Sequence, residues 1–388
     1  MTTGWSLPAR RRAPVVADPA PAAPLAPVEA LGPLGDPTPH WPGRHVTVGG
    51  TRLHVRETPC AAGSSQHGTV VYVHGLGGSS TNWTDLAGTL SSRWHGLAVD
   101  LPGFGRSEPL PSRDYSLRAH AATVTRFLES LDGTVHLVGN SLGGAVALTV
   151  AADHPSLVRT TTLVSPAVPD LRPAPARLGD GKLALAAIPL IGARTRRELA
   201  AEDVGTRLRR TMRLCYADPG CVSEAAFALA VAEAAERLDL PWVAEAMQRS
   251  LGGLVGTWFA RGAGSLWAAA ARVACPTLVV WGERDRLISV RKARRTVATV
   301  PRARLLRLPD VGHVAQMECP VLVGRAILGM DDAVTAGRWD TPDVLDRPIR
   351  PAVGNTHRRD GVESASSLSK ELNARWHPCR PWWNRPPS

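Results

Sequence analysis

A serine, a histidine and a few carboxylates stand at the ends of strand-like runs in this chain, and together they are the groups that covalent acyl chemistry needs. Ser141 sits in Gly139-Asn140-Ser141-Leu142-Gly143, led in by Val135-His136-Leu137-Val138 and followed at once by a long apolar helical pattern. Strand, sharp turn and helix in that order put the serine hydroxyl at the apex of the turn, where a substrate can reach it. The glycines at 139 and 143 suit a strained backbone at which two elements approach closely. His313 follows the run Ala303–Leu308 in Asp310-Val311-Gly312-His313, and Glu283 and Asp285 follow the run Thr277–Trp281. A serine hydroxyl is a poor nucleophile at neutral pH. It is activated when an imidazole accepts its proton and a carboxylate holds that imidazole in the needed tautomer. Residue type alone leaves Glu283, Asp285 and Asp310 in competition for the last role.

These groups need elements to carry them. Arg44–Val48 and Thr51–Glu57 alternate around Gly49-Gly50, which predicts a β-hairpin. Thr69–Val73 is a buried strand ending in His74-Gly75-Leu76-Gly77-Gly78, whose glycines let backbone N–H groups turn toward an anion. Asn82–Leu90 predicts a short helix, Gly96–Asp100 a strand, Ser116–Leu131 a helix, and Val158–Val164 another strand. Asp100 lies beside turn glycines, where a carboxylate more often caps loop amides than catalyses. At Ser165-Pro166 the alternation of strand and helix breaks. Residues 166–271 are mostly helical, and alternation resumes at Pro276–Trp281, with a helix over Ser289–Val300 and the strand Ala303–Leu308. An all-helical insertion between two strands of a parallel sheet is a cap. Trp242, Trp258, Phe259 and Trp267 fall within it, and either line an apolar pocket or pack the cap helices on the core. Residues 1–42 are Pro/Ala-rich with no apolar period and are expected to be disordered or loosely draped, and 331–388, with scattered Pro, Asp, Arg and Ser, is expected to be a disordered tail. The chain therefore divides into a 43–165 plus 272–330 core, a 166–271 cap and two tails.

Composition excludes several classes. With 44% hydrophobic and 20% charged residues among 388, the chain is an ordinary globular one. The six cysteines form no CxxC pair and no Cys/His cluster, so buried thiols in a reducing cytoplasm are expected, with no metal site. Arg10-Arg11-Arg12 is followed by residues broken by Asp18 and prolines, not by a signal-peptide core. Residues 133–152 carry no charge but hold His136, Asn140 and four glycines, so no spanning helix is expected. The net charge of +11 resides partly in Arg207, Arg209, Arg210, Arg291, Arg294 and Arg295. Peripheral contact with anionic lipid is one reading, and a solvated helix face is the other, since Val290, Ala293, Val297 and Val300 share the opposite face. No aromatic-interleaved basic motif points to nucleic acid.

The strand–Gly139-Asn140-Ser141-Leu142-Gly143-Gly144–helix unit resembles the nucleophile elbow of the α/β-hydrolase superfamily. So do His74-Gly75-Leu76-Gly77-Gly78 after the third strand and Asp100-Leu101-Pro102-Gly103-Phe104-Gly105-Arg106-Ser107 after the fourth. Asp285 after one late strand and Gly312-His313 after the next complete five ordered motifs over roughly residues 43 to 330. The resemblance implies an α/β fold, a mostly parallel central sheet flanked by helices, with the cap after the sixth strand. It implies Ser141, Asp285 and His313 as catalytic triad, its spacing favouring Asp285 over Glu283 and Asp310. It also implies an oxyanion hole from the amides of Leu76 and Leu142. The activity implied is an esterase- or lipase-like serine hydrolase acting on an apolar small-to-medium carboxylic ester, without cofactor or metal. Gly139–Gly144 is also similar to the Gly-Asn-Ser-Met-Gly-Gly of C–C bond hydrolases that cleave ring-fission products. Those usually carry Trp just after the histidine, where Val314 stands here, a further pocket candidate. Cofactor-free haloperoxidases share the triad. Epoxide hydrolases and haloalkane dehalogenases place Asp where Ser141 stands. A non-catalytic binding scaffold of the same fold normally lacks a triad residue.

Overall fold

The computed structural model describes residues 20–32, 40–61, 68–170 and 202–341. The apolar runs become an eight-stranded sheet in the order β1-β2-β4-β3-β5-β6-β7-β8. Its strands are β1 (Gly43–Val48), β2 (Thr51–Thr58), β3 (Thr69–Val73), β4 (His95–Val99), β5 (Val135–Asn140), β6 (Val158–Val164), β7 (Thr277–Gly282) and β8 (Ala303–Leu308). β1 pairs antiparallel with β2 and β2 with β4, while β4, β3 and β5 to β8 run parallel. The β1–β2 turn has φ 55° at Gly49 and 79° at Gly50, the double positive φ that a two-residue hairpin demands.

Period-two alternation sorts β3 onto two faces. Val71 and Val73 join Leu137, α2 (Leu117–Glu129) and α3 (Leu142–Asp153) in one core layer. Val70 and Tyr72 join Val138 and Val280, and pack on α1 (Thr84–Leu90), in the other. With helices on both faces, parallel strands are apolar throughout, and β5 and β7 are fully buried along their length.

Between β6 and β7 the described residues are helical: α4 (Val204–Cys215), α5 (Glu224–Leu238), α6 (Val243–Trp258) and α7 (Leu266–Ala270). The part of the expected cap at 171–201 lies outside the described residues. After β7 come α8 (Arg291–Thr299), the short α9 (Ala315–Glu318) and α10 (Pro320–Thr335). On α8, Ala293, Val297 and the following Val300 are buried while Arg291, Arg294 and Arg295 are exposed. Among the described residues no helix is long and apolar enough to cross a membrane.

Both ends of the described chain depart from the expected disorder. Residues 20–32, placed by composition in a disordered segment, dock on the fold instead, with 21–23 bridged to β8 at Leu305. Leu305 N–H donates to the Pro21 carbonyl at 2.8 Å, and Ala23 N–H returns to the Leu305 carbonyl at 3.0 Å. Arg325 Nε then holds the Ala26 carbonyl at 2.7 Å. Main-chain pairing of this kind needs no hydrophobic period, which is why composition gave no sign of it. At the other end α10 runs on to Thr335, Trp339 is buried, and Asp340 pairs with Arg302 at 2.5 Å, so residues 331–341 belong to the core. Residues 1–19 and 342–388 lie outside the described residues.

Candidate active site

Ser141 follows β5 and precedes α3, with φ 53° and ψ −115°. The conformation is one that L residues adopt only when the surroundings impose it. A Cβ on Gly139 would lie 2.2 Å from the Gly143 carbonyl oxygen, and one on Gly143 would lie 2.0 Å from that of Val73. Hence both glycines: the turn folds onto itself and onto the end of β3. The Ser141 amide donates to the Val164 carbonyl at 3.0 Å, and the Ser141 carbonyl accepts from Ala145 and Ala167.

Asp285 and His313 leave adjacent strands, β7 and β8, and meet. His313 Nδ1 lies 2.8 Å from Asp285 Oδ2, with side-chain exposures of 4% and 0%. The other oxygen, Oδ1, accepts from the amides of Leu287 and Ile288 at 2.8 and 2.9 Å. The rivals are engaged elsewhere. Glu283 pairs with Arg307 at 2.7 Å, and Asp310 pairs with Arg284 in a half-exposed position. Asn140, the residue before the serine, donates from Nδ2 to the carbonyls of both Val164 and His313, at 3.1 Å each. This buried amide couples the serine turn to the histidine loop. Its sequence signal is a polar residue closing an otherwise apolar strand.

The glycine loop after β3 lies against the serine. A Cβ on Gly75 would meet Ser141 Cβ at 3.2 Å, and Gly78 N–H closes the turn on the Gly75 carbonyl at 3.0 Å with Gly77 at φ 73°. Leu76 occupies that turn, and Leu142 opens α3, where the first amides have no intrahelical acceptor. Beneath the loop His74 is fully buried. Its Nε2 accepts from the Leu101 amide at 3.0 Å, so Nδ1 carries the proton and donates to the Gly75 carbonyl at 2.7 Å. Burial holds the His74 ring below its usual pKa and so neutral. Asp100 is the cap its turn suggests. It accepts from the amides of Ser80 and Arg106 and pairs with His54 Nδ1 at 2.8 Å. Burial alone would push its carboxyl up, but the His54 hydrogen bond and the Arg106 amide bring it down to about 2.

The candidate pocket residues divide. Trp258 donates its indole N–H to the Ala167 carbonyl at 3.2 Å, and the Ala167 amide in turn holds the serine carbonyl. Trp242 precedes α6, partly buried. Val314 is buried with Met212 and Tyr216 of the insertion. Trp267 lies on α7 with the Arg295 guanidinium 4.0 Å over its ring, a contact that packs helix on helix. Phe259 is 64% exposed. Met247 of α6, unmarked in the sequence, lies over the glycine loop: a Cβ on Gly77 would be 3.3 Å from its Cε. A surface cleft of about 250 Å³, lined by Arg118, Thr125, Asp153 and His154, sits toward the far end of α3 from Ser141.

A sequence model of the α/β hydrolase fold matches residues 68–320. The chain belongs to the α/β-hydrolase fold family. Within that family it is 32% identical over 251 residues to the dihydrolipoyllysine-residue acetyltransferase component of the acetoin cleaving system of Cupriavidus necator. The match takes in 64% of this chain and 60% of that protein, so the chain spans less than two thirds of that relative's length. It is 26% identical over 282 residues to the 2-hydroxy-6-oxononadienedioate/2-hydroxy-6-oxononatrienedioate hydrolase of Cupriavidus pinatubonensis, covering 71% of this chain and 90% of that one. It is also 26% identical over 253 residues to Lipase 1 of Psychrobacter immobilis, covering 64% and 72%. This α/β-hydrolase-fold chain thus has one relative named as a lipase and another named as a 2-hydroxy-6-oxononadienedioate hydrolase.

Proposed function

We propose that this protein is a serine hydrolase that cleaves a carboxylic ester of an apolar, small-to-medium substrate through an acyl-enzyme. The observation that carries the reading is the 2.8 Å contact of His313 Nδ1 with a fully buried Asp285, on loops tied to the Ser141 turn through Asn140. In this mechanism His313 takes the Ser141 proton as Oγ attacks the ester carbonyl, and Asp285 holds the imidazole and stabilises its cationic form. The amides of Leu76 and Leu142 receive the developing oxyanion, each such donor contributing about 3–4 kcal/mol to lowering the barrier. His313 then returns the proton to the departing alcohol, and an activated water releases the acid. Residues 166–271 act as the cap, with Met247, Trp258 and Val314 offering apolar surface to the acyl chain. The free thiols of Cys60, Cys215 and Cys275 suit a reducing cytoplasm.

The test is hydrolysis of p-nitrophenyl butyrate with an initial burst of p-nitrophenol. Burst and turnover are expected to vanish in Ser141→Ala; no turnover of any p-nitrophenyl ester from acetate to palmitate would sink the ester reading. Carbon–carbon bond hydrolysis is the second reading, favoured by the relative matched over 90% of its length. Loss of a ring-fission dienol absorbance, with p-nitrophenyl esters untouched, would select it.

A further inference from the structure

The residues that flank the acid and the base reach away from the serine, into the helical insertion. Arg286, next to Asp285, donates from Nη1 to the carbonyl of Arg213 and, at 3.1 Å, to that of Tyr216. The His313 amide donates to the Cys215 carbonyl at 2.6 Å. Glu318, only 5% exposed, divides its carboxylate between the two sides. Oε1 accepts from the amide of Gly312 and Oε2 from that of Ala217, both at 2.8 Å. Apart from the Gly312–Glu318 bond, which stays within the histidine side, these bonds end on residues 213–217, the last turn of α4 and its exit. A Cβ on Gly312 would sit 2.4 Å from the Cys215 carbonyl oxygen and 2.6 Å from the Ala217 nitrogen. The contact is therefore main chain against main chain, and no rotamer change loosens it.

From this we infer that Glu318 and Arg286 are positioning residues, which use residues 213–217 as a brace that fixes His313 relative to Asp285. The inference rests on the serine-hydrolase reading. Loop 283–286 and loop 309–314 leave neighbouring strands and meet directly, the Arg284 amide donating to the Val311 carbonyl at 2.9 Å and its side chain pairing with Asp310. On the side toward the insertion the same five-residue segment grips both. The last carbonyls of α4 have no acceptor role inside the helix, so the Arg286 guanidinium and the His313 amide satisfy groups that otherwise lack partners. Remove the Glu318 carboxylate and two amides lose their acceptor, that of Ala217, half-buried, and that of Gly312, buried and adjoining the base. A displacement of about 1 Å in such a site can cost about 100-fold in rate.

The experiment uses the full chain, with Glu318→Gln and Arg286→Gln compared with wild type. Glutamine keeps the shape at 318 but can accept from only one of the two amides. Thermal melts establish that each variant is folded. Ser141 labelling by a fluorophosphonate and p-nitrophenyl butyrate kinetics give the readouts. Folded variants are expected to label more slowly and to lose kcat by roughly 10- to 100-fold, with KM within about twofold of wild type. A folded Glu318→Gln with wild-type kcat, or with its loss confined to KM, overturns the brace. Should Glu318→Gln fail to fold, the partly exposed Arg286→Gln decides by the same criteria. Wild type that takes no label sinks the hydrolase reading itself, whereas equal labelling of wild type and variants sinks only the brace.

Discussion

Ser141 holds a backbone conformation that costs about 1–3 kcal/mol wherever it occurs, so the surroundings must impose it. The close approach of Gly143 to the Val73 and His74 carbonyls is part of that constraint. Gly143→Ala would drive a methyl into two backbone oxygens that cannot turn aside. A loss of about 2–3 kcal/mol is expected, read as a Tm lower by several degrees, with activity falling further as the glycine loop shifts. Asp285→Asn keeps the shape of the acid but presents His313 with the wrong hydrogen-bond partner. It should lower kcat by about 10⁴-fold while leaving Tm nearly unchanged, and comparable activity with asparagine would remove Asp285 from the mechanism. The strand-end positions of Ser141, Asp285 and His313 were legible because each follows an apolar run and a turn. The preference among the three acids was not legible from residue type, since Arg307 and Arg284 occupy Glu283 and Asp310 only through tertiary pairing. Glu318 and Arg286 escaped notice for a related reason. Their partners are main-chain groups of a distant helix end, which leave no pattern of side chains to read.

At the scale of elements, two contacts, one between helices and one between strands, are built around neutral imidazoles. His120 of α2 meets Ser250 of α6 at 3.0 Å, and burial lowers its pKa to about 3. His136 of β5 meets Thr160 of β6 at 2.8 Å beside Trp94, and burial lowers it to about 4, against the weaker opposing pull of Asp331. Both folded values lie below the unfolded value near 6.5, so the unfolded chain binds more protons between them. Stability is then complete above about pH 6.5 and declines as pH falls toward 4, by roughly 2 kcal/mol per histidine at pH 5. Melting curves from pH 8 to 5 check this, and His136→Gln should remove its own share of the decline, about 2 kcal/mol at pH 5. An unchanged slope in that variant would show that His136 is not the titrating group. The elements themselves were largely visible in the hydrophobic period. What period could not show was the docking of residues 20–32, whose prolines and alanines engage β8 through backbone groups.

For the molecule as a whole, that docked segment matters because β8 would otherwise be an open border. Unpaired edge strands invite association with other chains. Deleting residues 1–32 should therefore lower Tm and produce concentration-dependent oligomers in light scattering. A truncated chain that stays monomeric with an unaltered Tm would show the segment to be dispensable.

With 21–23 bridged to β8 at Leu305, the opposite edge of the sheet among the described residues is β1, four positions from β5 in the strand order. A two-fold assembly that joins sheets at that edge would run through Gly43–Val48. At about 4.8 Å per strand the two β5 strands would then stand about 43 Å apart, too far for one copy to lend a side chain to the other's nucleophile. Dimers of that kind would contain two independent reaction centres, each answering to its own substrate alone.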